Sequence, residues 1–391
     1  MPAIDHIRYL AETIGPRGST TPQEAEAARY AADVLKKLGL EPVTETFTSA
    51  RSAWYPYASF AGLVLVGEIL FWTAGRWGAI IAAVLTAVAL ISVLLELAFR
   101  PNPFRWILPR GRSQNVWARR MPRGDVRQQV VVMGHLDTHR TPLAFSTDRW
   151  VRLFSRLVPI GLVSSVALLL LFVVGAIVPG LIWRVLSLPF ALVILGVFLI
   201  TLQADFSPYT AGANDNATGA GVVLSLAERL QREPLTHTAV WLVLSGCEEV
   251  GCYGAEDFAR RHRDELGRAI WITLDSVGGT RTSPAYLTQE TFLLTVRSDP
   301  ELVALVEQIA RQHPEWDAHP HRFRGAYTEG SIAAKYGFRV LTFTGHRRDG
   351  VLPEWHRPTD TVEHLEPRAV EHTEALLWEL LHAIDQSPRG G

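Results

Sequence analysis

The sequence predicts an α/β protein with a central sheet covered by helices on both faces, interrupted by two apolar helical hairpins. Three observations predict it. Strand-patterned and helix-patterned segments alternate through the polar part of the chain. The strands are near-continuous apolar runs, as expected when both faces of a sheet are buried. Four further segments carry at most one charge each and reach the ~20 residues a bilayer-spanning helix needs.

Composition narrows the classes. The chain has 391 residues, a formal net charge of −1 and 48% hydrophobic residues. A near-neutral chain lacks the basic excess of a nucleic-acid binder, so no nucleic-acid partner is expected. The mean hydropathy of +0.11 is high for a soluble enzyme and is concentrated in the apolar segments. The two cysteines, Cys247 and Cys252, are too few for a disulfide framework, and their spacing lacks the second pair of a zinc site. They read as buried free thiols. Residues 1–40 are polar and helix-patterned, so no secretory signal peptide is expected there.

In chain order, the N-terminus reads as two helices. The second starts at Thr21, with Pro22 at the first helical position and Glu24 three residues after the cap, and stops near Gly39. "EPVTETFTSA" reads as a strand. Residues 52–75 follow with one charge, Glu68, and residues 77–95 with none. Residues 157–183 and 185–204 repeat that plan around Arg184. Short turns, "GR" and "VPGLIWR", join each pair, giving two transmembrane hairpins of four helices. A hairpin returns the chain to the side it left. Arg51, Arg100, Arg105, Arg110 and Arg112 flank the first, and Arg149, Arg152 and Arg156 precede the second, against Arg76 and Arg184 in the distal turns. The positive-inside rule then places the polar domain on the cytoplasmic side of an integral, multi-pass membrane protein. Residues 1–51, 101–156 and 205–391 form one catalytic domain, with hairpins at 52–100 and 157–204. Within that domain "QQVVVMG", "HTAVWLVLS", "AIWITLD" and "FRVLTFTG" read as strands. "ATGAGVVLSLAERLQ", "GAEDFARRHRDEL", "PELVALVEQIARQH" and "PRAVEHTEALLWELLHAI" read as helices.

Chemistry-bearing motifs sit at the strand ends. In "GHLDTH", His135 and Asp137 at i and i+2 share one face of a strand, which suits a metal ligand and its orienting carboxylate. "GANDNATGAG" puts Asp215 on a turn before a helix; alone, Asp215 or Asn216 is equally a helix cap. Adjacent Glu248 and Glu249 in "LSGCEEVGCYG" repel unless a cation is present, which leaves one as ligand and one as proton acceptor. Alone they read equally well as a solvated acidic turn. "WITLDSVGG" adds Asp275, and "PEWHRPTDT" adds His356 with Asp360 four residues later.

Taken in order, these motifs resemble metallopeptidase family twenty-eight, the co-catalytic zinc aminopeptidases. The opening "AETIGPRGSTTPQEAEAARYAADVLKKLGLEPVTETF" is similar to that family's N-terminal region. The resemblance implies a three-layer α/β/α zinc-exopeptidase fold with a mixed central sheet. It implies two zinc ions, one on His135 and Asp275 and the other on Glu249 and His356, bridged by Asp215. Carboxylate-rich sites also accept other divalent metals. It further implies that Glu248 is the general base, that Asp137 supports His135, and that the Asp215–Asn216 peptide is cis. The substrate would be a peptide with a free N-terminus.

Departures are also visible. The His135-to-Asp215 interval is 80 residues because the second hairpin lies inside it, yet an insert whose ends meet only lengthens a loop. Glu329 stands where the family often has an aspartate, so Tyr327 and Glu329 join His139 as substrate-contact candidates. His313, His319 and His321 read as a solvated loop rather than a metal tract. Glu68 reads as a packing or oligomer contact, and Gly62 and Gly67 offer small-residue contacts for a homo-oligomer. Two alternatives share the fold: a glutaminyl cyclase-like single-zinc acyltransferase, and an inactive scaffold or receptor.

Overall fold

The computed structural model describes residues 1–100, 102 and 104–387. Residues 101, 103 and 388–391, which the sequence reading gives to the catalytic domain, lie outside the described residues. In chain order, α1 (Ala3–Arg8) runs on as a π-helical turn to Ile14, and α2 (Pro22–Lys37) and β1 (Val43–Ala50) follow. The first hairpin is α3 (Tyr55–Thr73) and α4 (Gly75–Leu97), trailed by the short α5 (Phe104–Ile107). After β2 (Arg110–Arg120) and β3 (Gln128–His135) comes the second hairpin, α6 (Asp148–Ile177) and α7 (Leu181–Phe206). The chain continues through α8 (Gly219–Arg232), β4 (Thr238–Ser245), α9 (Tyr253–Leu266) and β5 (Ile270–Asp275). It closes with β6 (Ala285–Thr291), β7 (Thr295–Arg297), α10 (Pro300–Gln312), β8 (His319–Arg324), α11 (Glu329–Lys335), β9 (Arg339–Thr344) and α12 (Pro367–Gln386).

The chain divides into two compact units. The first holds Met1–Arg51, Arg110–Arg140 and Tyr209–Gly391. Its mixed sheet has the order β1-β2-β4-β3-β5-β9-β6-β7, with β8 paired to β6. The central strands β4, β3, β5 and β9 run parallel, flanked by antiparallel pairings of β2 with β4 and β1 on one side and of β6 with β9 and β7 on the other. Period-two alternation sorts the two faces. Val130, Val132, Leu242 and Leu244 pack with Val222, Leu226 and Leu230 of α8 and with α12. On the other face, Trp241 and Trp271 meet Phe258 of α9 edge-on. The parallel strands end together, so the loops after β3, β4 and β5 converge at one edge.

The N-terminal signals act as read. The Thr21 side chain accepts from the Glu24 amide, Pro22 opens α2, and Gly39 lies beyond its end at φ +78°. Glu24 also reaches outward, accepting from the Thr20 amide, the Ser113 hydroxyl and the Cys247 amide. This ties α2 to the turn after β4. Arg17, just before α2, is buried and donates to the carbonyls of Leu136, Leu10, Gly15, Ala211 and Gly212 at 2.7–3.0 Å. It thereby joins the loop after β3 to the loop before α8.

One element corrects the sequence reading, and a second lies where the sequence reading makes no assignment. The tract expected as a solvated loop forms β8, and His319 and His321 pair along β6. The charged segment Arg110–Arg120 is an inner strand, β2, because its inward polar groups find partners: Ser113 on Glu24, and Asn115 on the Gly254 carbonyl.

The second unit spans Ser52–Pro109 and Thr141–Pro208. Among the described residues, α3, α4, α6 and α7 are long and apolar enough to cross a membrane. The turns are tighter than "GR" and "VPGLIWR" suggest: Ala74 alone separates α3 from α4, and α7 starts directly after Gly180. Helix α6 starts at Asp148, ahead of the uncharged run, because Thr147 caps it by accepting from the Trp150 amide. Gly67 and Gly62 are used inside the unit. A Cβ at Gly67 would meet the Ala82 Cα of α4 at 3.2 Å, and one at Gly62 the Phe198 ring of α7 at 3.4 Å. They allow close helix approach within the unit. Glu68 is a packing contact: its Oε1 accepts from the Trp72 indole at 2.8 Å and from the Ser187 hydroxyl of α7 at 2.6 Å. Ser52 and Asp205 hydrogen-bond, and Arg105 pairs with Glu96, so the polar groups at the hairpin ends are also satisfied.

Replacing Arg17 by alanine strands several buried carbonyls. The expected cost is about 3 kcal/mol or more, read as a melting midpoint lower by roughly 6 °C or more. A midpoint within 1–2 °C of the parent, on the order of the 0.5 kcal/mol of an unremarkable surface substitution, would contradict the clamp.

Candidate active site

The turn motifs fold as they do because their polar side chains satisfy neighbouring backbone. Asn216 Oδ1 accepts from Gly219 and Ser276 amides, and its Nδ2 donates to the Leu274 carbonyl. Asn216 thus takes the Gly219 amide at the start of α8, while Asp215 points toward the histidines. Thr218 accepts from the Val277 amide, and Asn214 accepts from the Gly278 amide. "NDNAT" is thus stitched to the end of β5, where Asp275 sits. The Asp215–Asn216 peptide is cis, as the resemblance implied.

Asp215 extends one carboxylate oxygen toward each of two buried histidines. Oδ1 lies 3.4 Å from His135 Nε2, and Oδ2 lies 3.4 Å from His356 Nε2. Around His135 Nε2 stand Asp275 Oδ1 at 3.9 Å and Glu248 Oε2 at 3.8 Å. Glu249 Oε2 is 3.2 Å from His356 Nε2. Two donors each about 2.0–2.2 Å from a tetrahedral ion stand roughly 3.4 Å apart, so these separations suit shared metal ions. Orphaned atoms point the same way. His135 Nε2 and Glu249 Oε1 are buried and have no hydrogen-bond partner among the described residues. Donor atoms group as His135, Asp215 and Asp275, as His139, Glu249 and His356, and as His135, Glu248 and Glu249.

Electrostatics expose what a cation relieves. Burial raises the Glu248 pKa well above the carboxylate range, with Glu249 and Asp275 adding to it against the opposing pull of His135. Burial, then Asp215, raises Glu249 to about 8 despite His356. Burial works to lower His135, but Glu248 and contacts to Asp137, Asp215 and Asp275 raise it well above its usual value. For His356 burial again opposes, yet Glu249 and Asp215 raise it to about 9. Burial works to raise Asp215, but the two histidines hold it well below its usual value. Without a cation, the buried acids Glu248 and Glu249 hold protons more tightly than usual.

The supporting residues divide into those the sequence marks and those it hides. His135 Nδ1 lies 3.1 Å from the Asp137 carbonyl oxygen and 3.5 Å from Oδ1. The Asp137 carboxylate itself accepts from Ser19 at 2.6 Å and from the Glu248 and Glu249 amides at 3.0 and 3.2 Å. It therefore fixes the Glu248–Glu249 turn as well as facing His135. The Cys252 thiol donates to Glu248 Oε1 at 3.2 Å; both cysteines are buried and free, as expected. Asp360 accepts from the Asn214 and Asp215 amides at 2.6 and 3.1 Å and so orients the Asp215 turn. Its spacing from His356 was visible, but its partner was not. Arg17 and Ser19 carry no signal in "GPRGS". Glu329 is buried at the start of α11 and accepts from Ser245. Burial raises its pKa to about 7. The Tyr327 hydroxyl instead joins Leu294 in the β6–β7 hairpin, beside Phe292. His139 stacks on His356.

Comparison with known proteins bears on the class of this site. Residues 197–381 match the family model described as Peptidase family M28. That region is therefore similar to peptidase family M28. Asp215, Glu248, Glu249, Asp275 and His356 fall inside the M28 region, and His135 and Asp137 precede it. The family supports a metal-binding hydrolase of the metallopeptidase class. Comparison with curated proteins finds no match. Solved structures share the fold. A leucine aminopeptidase precursor from Bacteroides thetaiotaomicron superposes with TM-score 0.58 at 13% identity, over 97% of this chain and 95% of its own. A Fimbriiglobus ruber glutaminyl cyclase gives 0.59 at 16% identity, over 98% and 94%. The Bacillus subtilis zinc aminopeptidase BSAP gives 0.58 at 14%, over 99% and 96%.

Asp137→Asn turns an amide N–H toward donors that now meet a carboxylate. Zinc retention is expected to fall about 10–100-fold, measured by dialysis against graded chelator. Unchanged retention would show that the Glu248–Glu249 turn holds itself.

Proposed function

We propose that this protein is a membrane-anchored di-zinc aminopeptidase. The observation that carries the reading is Asp215, with one oxygen toward each histidine and separate donor groups on its two sides. On this reading His135 and Asp275 would hold one zinc and Glu249 and His356 the other, with Asp215 placed to reach both. Other divalent ions also suit such a donor set. When bound, the metal pair lowers the pKa of a water and polarises a carbonyl oxygen.

The chain's own residues supply the proton handling. Glu248 Oε1 is held by the Cys252 thiol, and Oε2 faces the donor cluster. Its carboxylate takes the proton of the attacking water and returns it to the departing amine. Asp137 keeps Glu248 and Glu249 in register through their amides. The acid-rich surroundings, Glu329 included, complement the free α-ammonium of a peptide N-terminus, and a closed pocket would limit cleavage to that end.

The four apolar helices support membrane anchoring. The arginines near the hairpin ends favour the cytoplasmic side for the polar unit. The substrate would be a peptide released into the membrane or emerging from it.

The test uses the full chain in detergent with zinc and paired aminoacyl and N-blocked substrates. Free-amine substrates should be cleaved and blocked ones spared. Glu248→Gln should lower kcat by about 10²-fold or more with the metal retained. Conversion of N-terminal glutaminyl peptides to a cyclised product without hydrolysis would favour the cyclase-like reading. Turnover unaffected by Glu248→Gln would overturn the mechanism.

A further inference from the structure

His139 lies in the loop after β3 and is buried. Its ring lies over that of His356, with centroids 3.6 Å apart and planes inclined by only 15°. His139 Nδ1 stands 2.7 Å from the Arg140 carbonyl oxygen, which can only accept. Nδ1 therefore carries the hydrogen, and Nε2 carries the lone pair.

Two roles are open to such a ring. A donor atom of His139 lies near donors of Glu249 and His356, so it could be a further metal ligand. Alternatively it supports His356, which then does the ligating. The ring planes decide between them. An imidazole binds a metal along a lone pair lying in its own plane. Two nearly parallel planes 3.6 Å apart aim their lone pairs side by side. They cannot both meet, in plane, an ion about 2.0–2.1 Å from each nitrogen.

We propose that His139 is a positioning residue whose ring face fixes the plane of His356. His356 needs such support. Its backbone lies in the left-handed region at φ +55°, where a residue with a side chain persists only if its surroundings hold it. Its Nε2 must also meet Asp215 Oδ2 at 3.4 Å and Glu249 Oε2 at 3.2 Å. Rotation of the ring about its long bond would lose both. Trp355 packs against the same ring at 4.7 Å, inclined by 39°, so His139 supplies the flat contact and Trp355 a tilted one. The hydrogen bond from Nδ1 to Arg140 holds His139 in place as a rigid face. The inference rests on the metal pair proposed above, since it concerns how firmly the Glu249–His356 position keeps its ion.

The test compares the full-length parent with His139→Ala and His139→Phe, stripped and then reloaded with zinc alone. Chelator competition reads the affinity of each ion, and cobalt replacement reads the ligand geometry by visible spectrum. The parent should hold two ions. His139→Ala should loosen one of them by about 10–100-fold and leave the other unchanged. His139→Phe, flat but without a donor nitrogen, should hold both ions within about threefold of the parent, well inside that loss, and keep its cobalt spectrum. Parental affinity in His139→Ala would overturn the proposal, because the ring would then do nothing for His356. A His139→Phe variant as loose as alanine would also overturn it, by showing that the nitrogen matters and not the face. Should His139→Ala not fold, His139→Phe decides alone: retained zinc sustains the proposal and lost zinc overturns it. A parent that holds no divalent ion would overturn the metal-pair reading and this inference with it, whereas changes confined to the variants bear on His139 alone.

Discussion

Asp215 presents one oxygen to each of two buried histidines, and the charge gathered around it is the constraint the rest of the site answers. Glu248, Glu249 and Asp275 stand within the same small volume. Buried like charges raise one another's proton affinity until a proton or a cation intervenes. A cation shared by His135, Asp215 and Asp275 needs no proton uptake and satisfies His135 Nε2, which otherwise has no hydrogen-bond partner among the described residues. The surrounding framework is backbone chemistry. Asp360 takes the amides of the Asp215 turn, Asp137 takes those of the Glu248 turn, and Arg17 gathers carbonyls from both neighbouring loops. Each fixes a loop without spending a donor that could reach metal.

The two apolar hairpins leave this framework intact because each is a lengthened loop. Several of their polar groups find partners within their own unit. Glu68 meets Trp72 and Ser187, Asp205 meets Ser52, and Glu96 meets Arg105. Glycines 62, 67 and 175 face a helix or an aromatic ring of the same unit. Each hairpin is an insert between segments of the first unit. This explains how His135 and Asp215 can be 80 residues apart in sequence and 3.4 Å apart in space.

The legible parts were those with one dominant signal. The parallel strands are apolar on both faces, so composition alone marks them. The α2 start has a cap, a proline and a glutamate at fixed offsets. The six residues of the donor cluster all lie at strand ends or in turns, where acidic and imidazole groups are otherwise costly to gather. The rest was hidden because its partners are distant in sequence. Strand β2 is charged and polar, and its inward polar groups find partners in Glu24 and Gly254, distant in sequence. Strand β8 has the composition of a loop until β6 lies beside it. Arg17 and Asp360 act on backbone groups more than 100 residues away, which no local pattern encodes. His139 was visible as a residue near the site, but the ring it stacks on lies in another loop.

Elemental analysis of the purified full chain, loaded with zinc and freed of loose metal, tests the central claim most directly. The account predicts two ions per chain, with Asp215→Ala no longer able to keep the pair. A parent chain that binds no stoichiometric metal, or an Asp215→Ala chain that keeps both ions as firmly as the parent, would contradict it.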